Sequence, residues 1–271
     1  MVGITIIYYI SLIHTMLEST FCHIQGIGET KERALWKKGC RTWDDFIGNP
    51  DLMSRDSYKV AKATTLESKA RLADSDHRYF RRNLPRGMEW RAYDKFRRTA
   101  CFLDIETTGL SPEYDIVTTV CVHSDQGTKS YVMGDNLHEL KGDLKSFRYL
   151  VTFNGARFDI PFLNRRHNIL FPQIHLDLLY PLRALGYSGG LKAIEKRLGM
   201  DRGSEGVDGR AAVRLWKAWD TGRTVEVAGK RVSGKDALDM LIDYNRDDTV
   251  NLEALADFTY GEMVKASGLK G

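Results

Sequence analysis

The chain has 271 residues, of which 42% are hydrophobic and 28% are charged, and it contains only 6 prolines. This composition excludes a disordered or collagen-like chain, and the length is enough for one large domain or for a medium domain with a smaller companion. The net charge of +4 is too small to indicate a binding partner, and the four cysteines form no C-x-x-C pair, which favours reduced thiols in a cytoplasmic protein over a zinc site.

An apolar run occupies residues 2–13, close to the start of the chain. About a dozen residues are too few to cross the hydrocarbon core of a bilayer as a helix. The run also lacks the positively charged start and the small-residue cleavage site of a signal peptide. We therefore expect no membrane association, and we interpret residues 1–15 as an apolar extension upstream of a true start at Met16.

Residues 16–98 are predicted to form a small helical region, with helices over 30–38, 43–47, 57–71 and 76–82. The first helix follows Gly26-Ile27-Gly28, which looks like the hairpin of a helix-hairpin-helix motif. Glycines in such a hairpin let backbone N–H groups approach a phosphate, so Gly26 and Gly28 are candidate nucleic-acid contacts. An ordinary turn at the start of a helix is the competing interpretation.

Most of the positive charge lies in one segment of this region. Residues 55–98 contain 13 Lys and Arg against 6 Asp and Glu, a net charge of +7, with aromatic residues between them. Such a block suits the backbone of a nucleic acid, although a solvated helical face would have the same composition. Arg78, Arg81 and Arg82 are the candidate contacts in this segment.

The pattern changes at residue 100, where short apolar and β-branched segments begin. They predict strands at 101–106, 116–122, 129–133, 149–153 and 174–176, and helices at 137–147, 158–167, 191–198, 210–219 and 237–258. Three strands joined by hairpins, followed by strands that alternate with helices, indicate an α/β fold with a mixed five-stranded sheet flanked by helices. We assign this domain to residues 99–262.

Carboxylates recur at three places in the predicted domain. Asp104 and Glu106 are two residues apart on a strand, so both leave the same face of the sheet. Asp159 follows another apolar strand at the carboxyl edge, where open α/β sheets bind ligands, although capping of the next helix would also explain it. Asp248 lies one helical turn after Tyr244, on the core face of the last helix.

Four carboxylates that meet at one edge of a sheet repel one another unless cations lie between them. The sequence has no cluster of His or Cys, and oxygen ligands alone favour hard ions such as Mg²⁺ or Mn²⁺. Two such ions roughly 3.5 to 4 Å apart support in-line phosphoryl transfer. The predicted chemistry is phosphodiester hydrolysis.

Three segments resemble, in order, the exonuclease motifs of the DEDDy 3′-to-5′ exonucleases, which have a ribonuclease-H-like fold: Asp104-Ile-Glu106-Thr-Thr-Gly, Thr152-Phe-Asn-Gly-Ala-Arg-Phe-Asp159 and Tyr244-x-x-x-Asp248. A wider run, including Ser188-Gly-Gly-Leu-Lys192, is similar to prokaryotic ribonuclease-H-like exonuclease proteins. The resemblance implies that the four carboxylates hold two ions, Mg²⁺ or Mn²⁺, and that Tyr244 orients the attacking water.

The predicted function is therefore metal-dependent 3′-to-5′ hydrolysis of DNA or RNA, with a single-stranded 3′ end as the expected substrate. Further candidate nucleic-acid contacts are Thr107, Asn154, Phe158, Gly190 and Lys192. Gly190 precedes a helix whose terminal N–H groups would reach a phosphate near Lys192, although an ordinary turn explains the glycine equally well. Asn154 is expected to hold the turn that directs Asp159. Two alternatives stay open at this stage. One is a nucleic-acid-binding module that does not turn over its ligand, and the other is an endonuclease of the same fold.

Overall fold

The computed structural model describes residues 16–200 and 208–269, so the interpretation of residues 1–15 lies outside the described residues. The first part of the chain is helical: α1 (Glu29–Lys37), α2 (Trp43–Ile47), α3 (Arg55–Ala73), α4 (His77–Asn83) and α5 (Tyr93–Phe96), with single 3₁₀ turns at Pro50–Leu52, Glu89–Ala92 and Arg97–Thr99. Local sequence explains where these helices begin. For example, Thr42 and Asp45 form a reciprocal capping box at the start of α2.

The remainder of the chain builds the sheet and its covering helices. The elements are β1 (Ala100–Thr107), β2 (Val117–Ser124), β3 (Gly127–Val132), α6 (Leu140–Asp143) between 3₁₀ turns at Leu137–Glu139 and Leu144–Ser146, β4 (Tyr149–Thr152), α7 (Asp159–His167), β5 (Ile174–Asp177), α8 (Leu179–Ala184), α9 (Leu191–Leu198), α10 (Gly209–Thr221), β6 (Val225–Val227), β7 (Lys230–Val232) and α11 (Gly234–Ser267).

The main sheet has five strands in the order β3-β2-β1-β4-β5. β1 pairs antiparallel with β2 and β2 antiparallel with β3, whereas β1–β4 and β4–β5 are parallel. This arrangement confirms the predicted mixed five-stranded sheet with helices on both faces. The structure adds four helices and strands that the sequence did not predict, namely α5, α8 and the two strands of the separate β6–β7 ribbon.

Alternate residues of β1 enter two different cores. Leu103 and Ile105 pack under α7 with Phe162, while Phe102 joins the core that continues into the helices of the first part of the chain. Because side chains alternate along a strand, Asp104 and Glu106 lie on the same face of the sheet as Phe102. α11 packs across β1 and β2 on the face that carries Phe102, which brings its side chains to the two carboxylates.

None of the helices in the described part of the chain combines the length and the apolar character needed to span a bilayer. The division into a helical region over 16–98 and a domain over 99–262 remains a proposal. The core that contains Phe102 of β1 also contains Phe21, Trp43 and Phe80, so apolar packing is continuous between the two parts.

Candidate active site

Three carboxylates from two elements meet above the sheet. Asp104 and Glu106 come from β1 and Asp248 comes from α11, and one oxygen of each lies within 4.8 Å of the others. Asp248 is only 6% exposed. Although 142 residues separate Glu106 from Asp248 in sequence, the packing of α11 on β1 brings their oxygens to distances that a single cation could bridge.

Asp159 is the first residue of α7 and lies beside this group. It is 3% exposed, and its Oδ1 accepts a hydrogen bond of 3.2 Å from the backbone N–H of Ile105. Asp159 lines the same cavity as the three carboxylates and faces Asp104, but it lies outside the group whose oxygens are within 4.8 Å. The four predicted carboxylates are thus brought together, with oxygens of three of them within 4.8 Å of one another and the fourth beside Asp104.

Asp177, at the end of β5, holds the turn that leads to Asp159. Its carboxylate accepts hydrogen bonds from the backbone N–H groups of Asn154 (2.7 Å) and Ala156 (3.0 Å), and also from that of Leu179 at the start of α8. Asn154 has a φ of +62°, a conformation that Asn adopts more readily than most residues. A Cβ at Gly155 would lie 2.3 Å from Thr152 Oγ1, so this position requires glycine.

Tyr244 lies one turn before Asp248 on α11 and is 4% exposed. The ammonium of Lys192, from the first turn of α9, lies 4.4 Å from the centre of its ring. This distance is typical of a cation–π contact, and it fixes the ring between α9 and α11. Burial raises the pKa of Glu106, and the positive charge of Lys192 offsets part of that rise.

Asn245 is a site residue that sequence reasoning missed. It is 1% exposed, and its Nδ2 donates a hydrogen bond of 2.7 Å to Asp104 Oδ2. The signal was present in the sequence, because Asn245 lies at helical spacing between Leu241 and Leu252 in the apolar face of α11. A buried amide in such a face needs a partner, and here the partner is the carboxylate of β1.

The four carboxylates and Tyr244 line one cavity of about 760 Å³ at the carboxyl ends of β1 and β4. All five predicted catalytic residues line it, as do five of the predicted nucleic-acid contacts: Thr107, Asn154, Phe158, Gly190 and Lys192. Asp208 and Arg210, from the start of α10, also line it and were not predicted. Leu110 projects from the β1–β2 loop at the rim with 85% of its surface exposed.

The other predicted contacts lie elsewhere. Gly26 lines a separate cavity of about 630 Å³ among the first helices, and Gly28 is the residue before α1. Arg78, Arg81 and Arg82 are exposed on α4, which packs beside the edge strand β5, and they do not line the cavity of the carboxylates. Their binding of nucleic acid remains a prediction.

The charges of the cavity explain what it can hold. Burial raises the pKa of Glu106 well above its usual range, and repulsion from Asp104 and Asp159 raises it further. Burial and then repulsion from Asp104 also raise the pKa of Asp159. Among the described residues that line the cavity there is no histidine or cysteine. Carboxylate oxygens that cannot all ionise without added positive charge fit a hard divalent cation.

Comparisons with known proteins give a family for the larger part of the chain. Residues 101–260 match the model of the RNase_H_2 family, which is described as RNase_H superfamily. No curated protein matches the sequence. Among solved structures, a family B DNA polymerase from the hyperthermophilic archaeon Pyrobaculum calidifontis aligns with 61% of this chain at 14% identity and a TM-score of 0.42. The alignment covers 24% of the polymerase chain.

Proposed function

The chain belongs to the RNase_H superfamily, and from that membership and the cavity we propose that it is a metal-dependent 3′-to-5′ exonuclease acting on the ends of single-stranded DNA or RNA. One observation carries the proposal: the oxygens of Asp104, Glu106 and Asp248 lie within 4.8 Å of one another in an open cavity. Three buried or half-buried carboxylates at this separation are costly for the fold, which supports a site that holds cations.

Asp104, Glu106 and Asp248 would hold one ion, and Asp104 together with Asp159 would hold a second. The two ions, Mg²⁺ or Mn²⁺, would supply an activated water and stabilise the oxygen that leaves the phosphate. Asn245 holds the carboxylate of Asp104, and the N–H of Ile105 holds that of Asp159, so both side chains are oriented before a ligand arrives.

The other walls of the cavity suit a nucleotide. Lys192 and Arg210 place positive charge beside the carboxylates, where the phosphate of the substrate would lie. Leu110 and Phe158 provide apolar surface against which a base can pack. The carboxylates, the positively charged side chains of Lys192 and Arg210, and the apolar walls together favour a nucleic-acid end over a small polar substrate.

Hydrolysis of end-labelled oligonucleotides tests the proposal. Single-stranded and double-stranded DNA and RNA are each labelled at the 5′ end and incubated with Mg²⁺, with Mn²⁺ or with EDTA. We expect metal-dependent shortening from the 3′ end in single-nucleotide steps. A circular single strand tests for endonuclease activity and should stay intact. Binding without shortening in every metal would instead indicate a non-catalytic nucleic-acid-binding module.

Tyr244→Phe should lower the hydrolysis rate about 10²-fold and leave Mn²⁺ affinity unchanged. A phenol with a pKa near 10 is a poor general base at neutral pH, so its expected role is to position water by a hydrogen bond. Removal of one positioned donor has an effect of about this size. Single-turnover cleavage of a 3′-end substrate measures the rate, and calorimetric titration with Mn²⁺ measures the affinity. A wild-type rate would mean that Tyr244 only packs against Lys192.

Asn245→Ala should weaken Mn²⁺ binding about 10- to 100-fold, as loss of a group that orients a metal ligand does. The variant removes the hydrogen bond to Asp104 and keeps every carboxylate. Calorimetric titration with Mn²⁺ is the measurement, and Asn251→Ala on the same helix is the control, because Asn251 donates to Glu195 outside the cavity. If wild type and Asn245→Ala bind Mn²⁺ with equal affinity, Asn245 does not orient Asp104 for metal binding.

A further inference from the structure

The first turn of α10 forms a wall of the cavity, and the rest of the helix leads away from it. Asp208 caps the helix by accepting a hydrogen bond of 2.8 Å from the N–H of Ala211. Asp208, Gly209, Arg210 and Val213 line the cavity, whereas the later residues of α10 do not. A ligand that extends beyond the cavity on this side therefore meets the outer surface of α10.

That outer surface carries an α10 basic stripe, which we define as Arg210, Arg214 and Lys217. The three residues follow i, i+4, i+7 spacing, so they fall within an arc of about 60° and span about 10 Å along the helix. All three are exposed. The opposite face of α10, with Ala212 and Leu215, is buried against α11, and this packing directs the stripe to solvent.

The stripe begins at the cavity, since Arg210 lines it, and its charge environment can be compared with that of three exposed cations on other helices. Arg33 pairs with Glu29, Arg71 with Glu67 and Lys265 with Glu262, as expected for solvated helix surfaces. In contrast, no ion pair joins a stripe residue to a carboxylate within the described ranges 16–200 and 208–269. Three aligned positive charges over about 10 Å match about three phosphates of a stacked strand.

We propose that the α10 basic stripe is the path along which the single strand leaves the cavity, with its phosphates on Arg210, Arg214 and Lys217. This inference rests on the proposed function, because it requires a nucleic-acid end in the cavity. It identifies a binding surface about three nucleotides long, and it places the strand on α10, on a part of the chain outside the basic segment of residues 55–98.

The test removes the two stripe residues that do not line the cavity, in the double variant Arg214→Gln/Lys217→Gln. Lys141→Gln/Lys145→Gln is the control, because it also removes two exposed cations one helical turn apart, at a place near β3 and away from α10. Binding of single-stranded DNA and RNA octanucleotides and dinucleotides is measured in Mg²⁺ over a series of salt concentrations. Phosphorothioate linkages make these ligands resistant to hydrolysis.

We expect the stripe variant to bind octanucleotides about 10- to 30-fold more weakly at 0.1 M salt, with the slope of log affinity against log salt reduced by about 1.4. Each single variant should lose about half of that slope. Dinucleotide binding should stay within about twofold of wild type, because a dinucleotide fills only the cavity. The control variant should bind both ligands like wild type.

Equal octanucleotide affinity of the stripe variant and wild type would overturn the path along α10. The same holds if the control loses as much affinity, or if dinucleotide binding falls as far as octanucleotide binding. These outcomes are distinct from failure of the proposed function, in which wild type neither binds nor shortens any oligonucleotide and both proposals fall. If the wild-type protein hydrolyses oligonucleotides and the stripe variant binds them as tightly as wild type, only the proposed path along α10 is overturned.

Discussion

Asp248→Ala should abolish hydrolysis, with a loss of about 10³-fold or more. The change removes one of the three carboxylates whose oxygens lie within 4.8 Å, and a bound cation contributes several kcal/mol of transition-state stabilisation. Asp104→Ala, Glu106→Ala and Asp159→Ala should have effects of the same order. Single-turnover hydrolysis of an end-labelled oligonucleotide in Mn²⁺ measures these losses.

Asp243→Ala is the matched control for Asp248→Ala. Asp243 lies on the same helix, but its side chain is 66% exposed and pairs with Arg246. We expect this variant to hydrolyse at the wild-type rate. Near-normal activity of Asp248→Ala in a pure preparation would remove Asp248 from the site.

Thermal unfolding gives a second measurement that does not depend on turnover. Without metal, Asp248→Ala should be as stable as wild type or more stable, because it relieves repulsion among buried carboxylates. Added Mn²⁺ should raise the Tm of wild type, since a ligand that binds only the folded state stabilises it, and should raise the Tm of Asp248→Ala much less. An equal Mn²⁺ shift in both proteins would show that the ion binds elsewhere.

Local periodicity was enough to predict which face three of the carboxylates occupy. Asp104 and Glu106 share a face because strand side chains alternate, and Asp248 faces the core because Leu241 and Leu252 set the buried face of α11. The order of strands and helices predicted the mixed sheet, and the superfamily match confirms the fold that the motifs implied. These features depend on local periodicity, which a single sequence records directly.

Other features depend on tertiary contacts that periodicity does not record. The strands of the β6–β7 ribbon have three residues each, too few to show alternation, and α8 has only six residues with Pro181 near its start. The position of Arg210 at the cavity follows from where α10 begins. Asp177 is 23 residues from Asn154 in sequence, and only the pairing of β4 with β5 lets its carboxylate hold both the turn at Asn154 and the start of α8.

Some cations of the basic segment of residues 55–98 have partners within the fold. Arg97 belongs to this segment but binds Asp257 and Glu253 of α11. Arg91 is 6% exposed and forms an ion pair of 2.7 Å with Glu32, which is 1% exposed. Glu32 also accepts hydrogen bonds from the backbone N–H groups of Phe21 and Cys22. Part of the positive charge therefore stabilises the fold.

Arg91→Met should lower the free energy of unfolding by about 3–5 kcal/mol, because it leaves the carboxylate of Glu32 buried without its cation. Methionine keeps most of the apolar stem, so the loss reports the charge and not a cavity. Urea denaturation followed by fluorescence and circular dichroism measures it. Arg33→Met is the matched control, since Arg33 neighbours Glu32 on α1 but is 63% exposed, and its change should stay within about 0.5 kcal/mol.

The double variant Glu32→Gln/Arg91→Met separates the ion pair from other roles of Arg91. Glutamine retains an oxygen that can accept from the N–H groups of Phe21 and Cys22, but it carries no charge that needs a buried partner. We therefore expect the double variant to recover more than half of the stability that Arg91→Met loses. If the double variant is as unstable as Arg91→Met, the contacts of Arg91 with Trp36 and Trp90, and not its charge, stabilise this part of the fold.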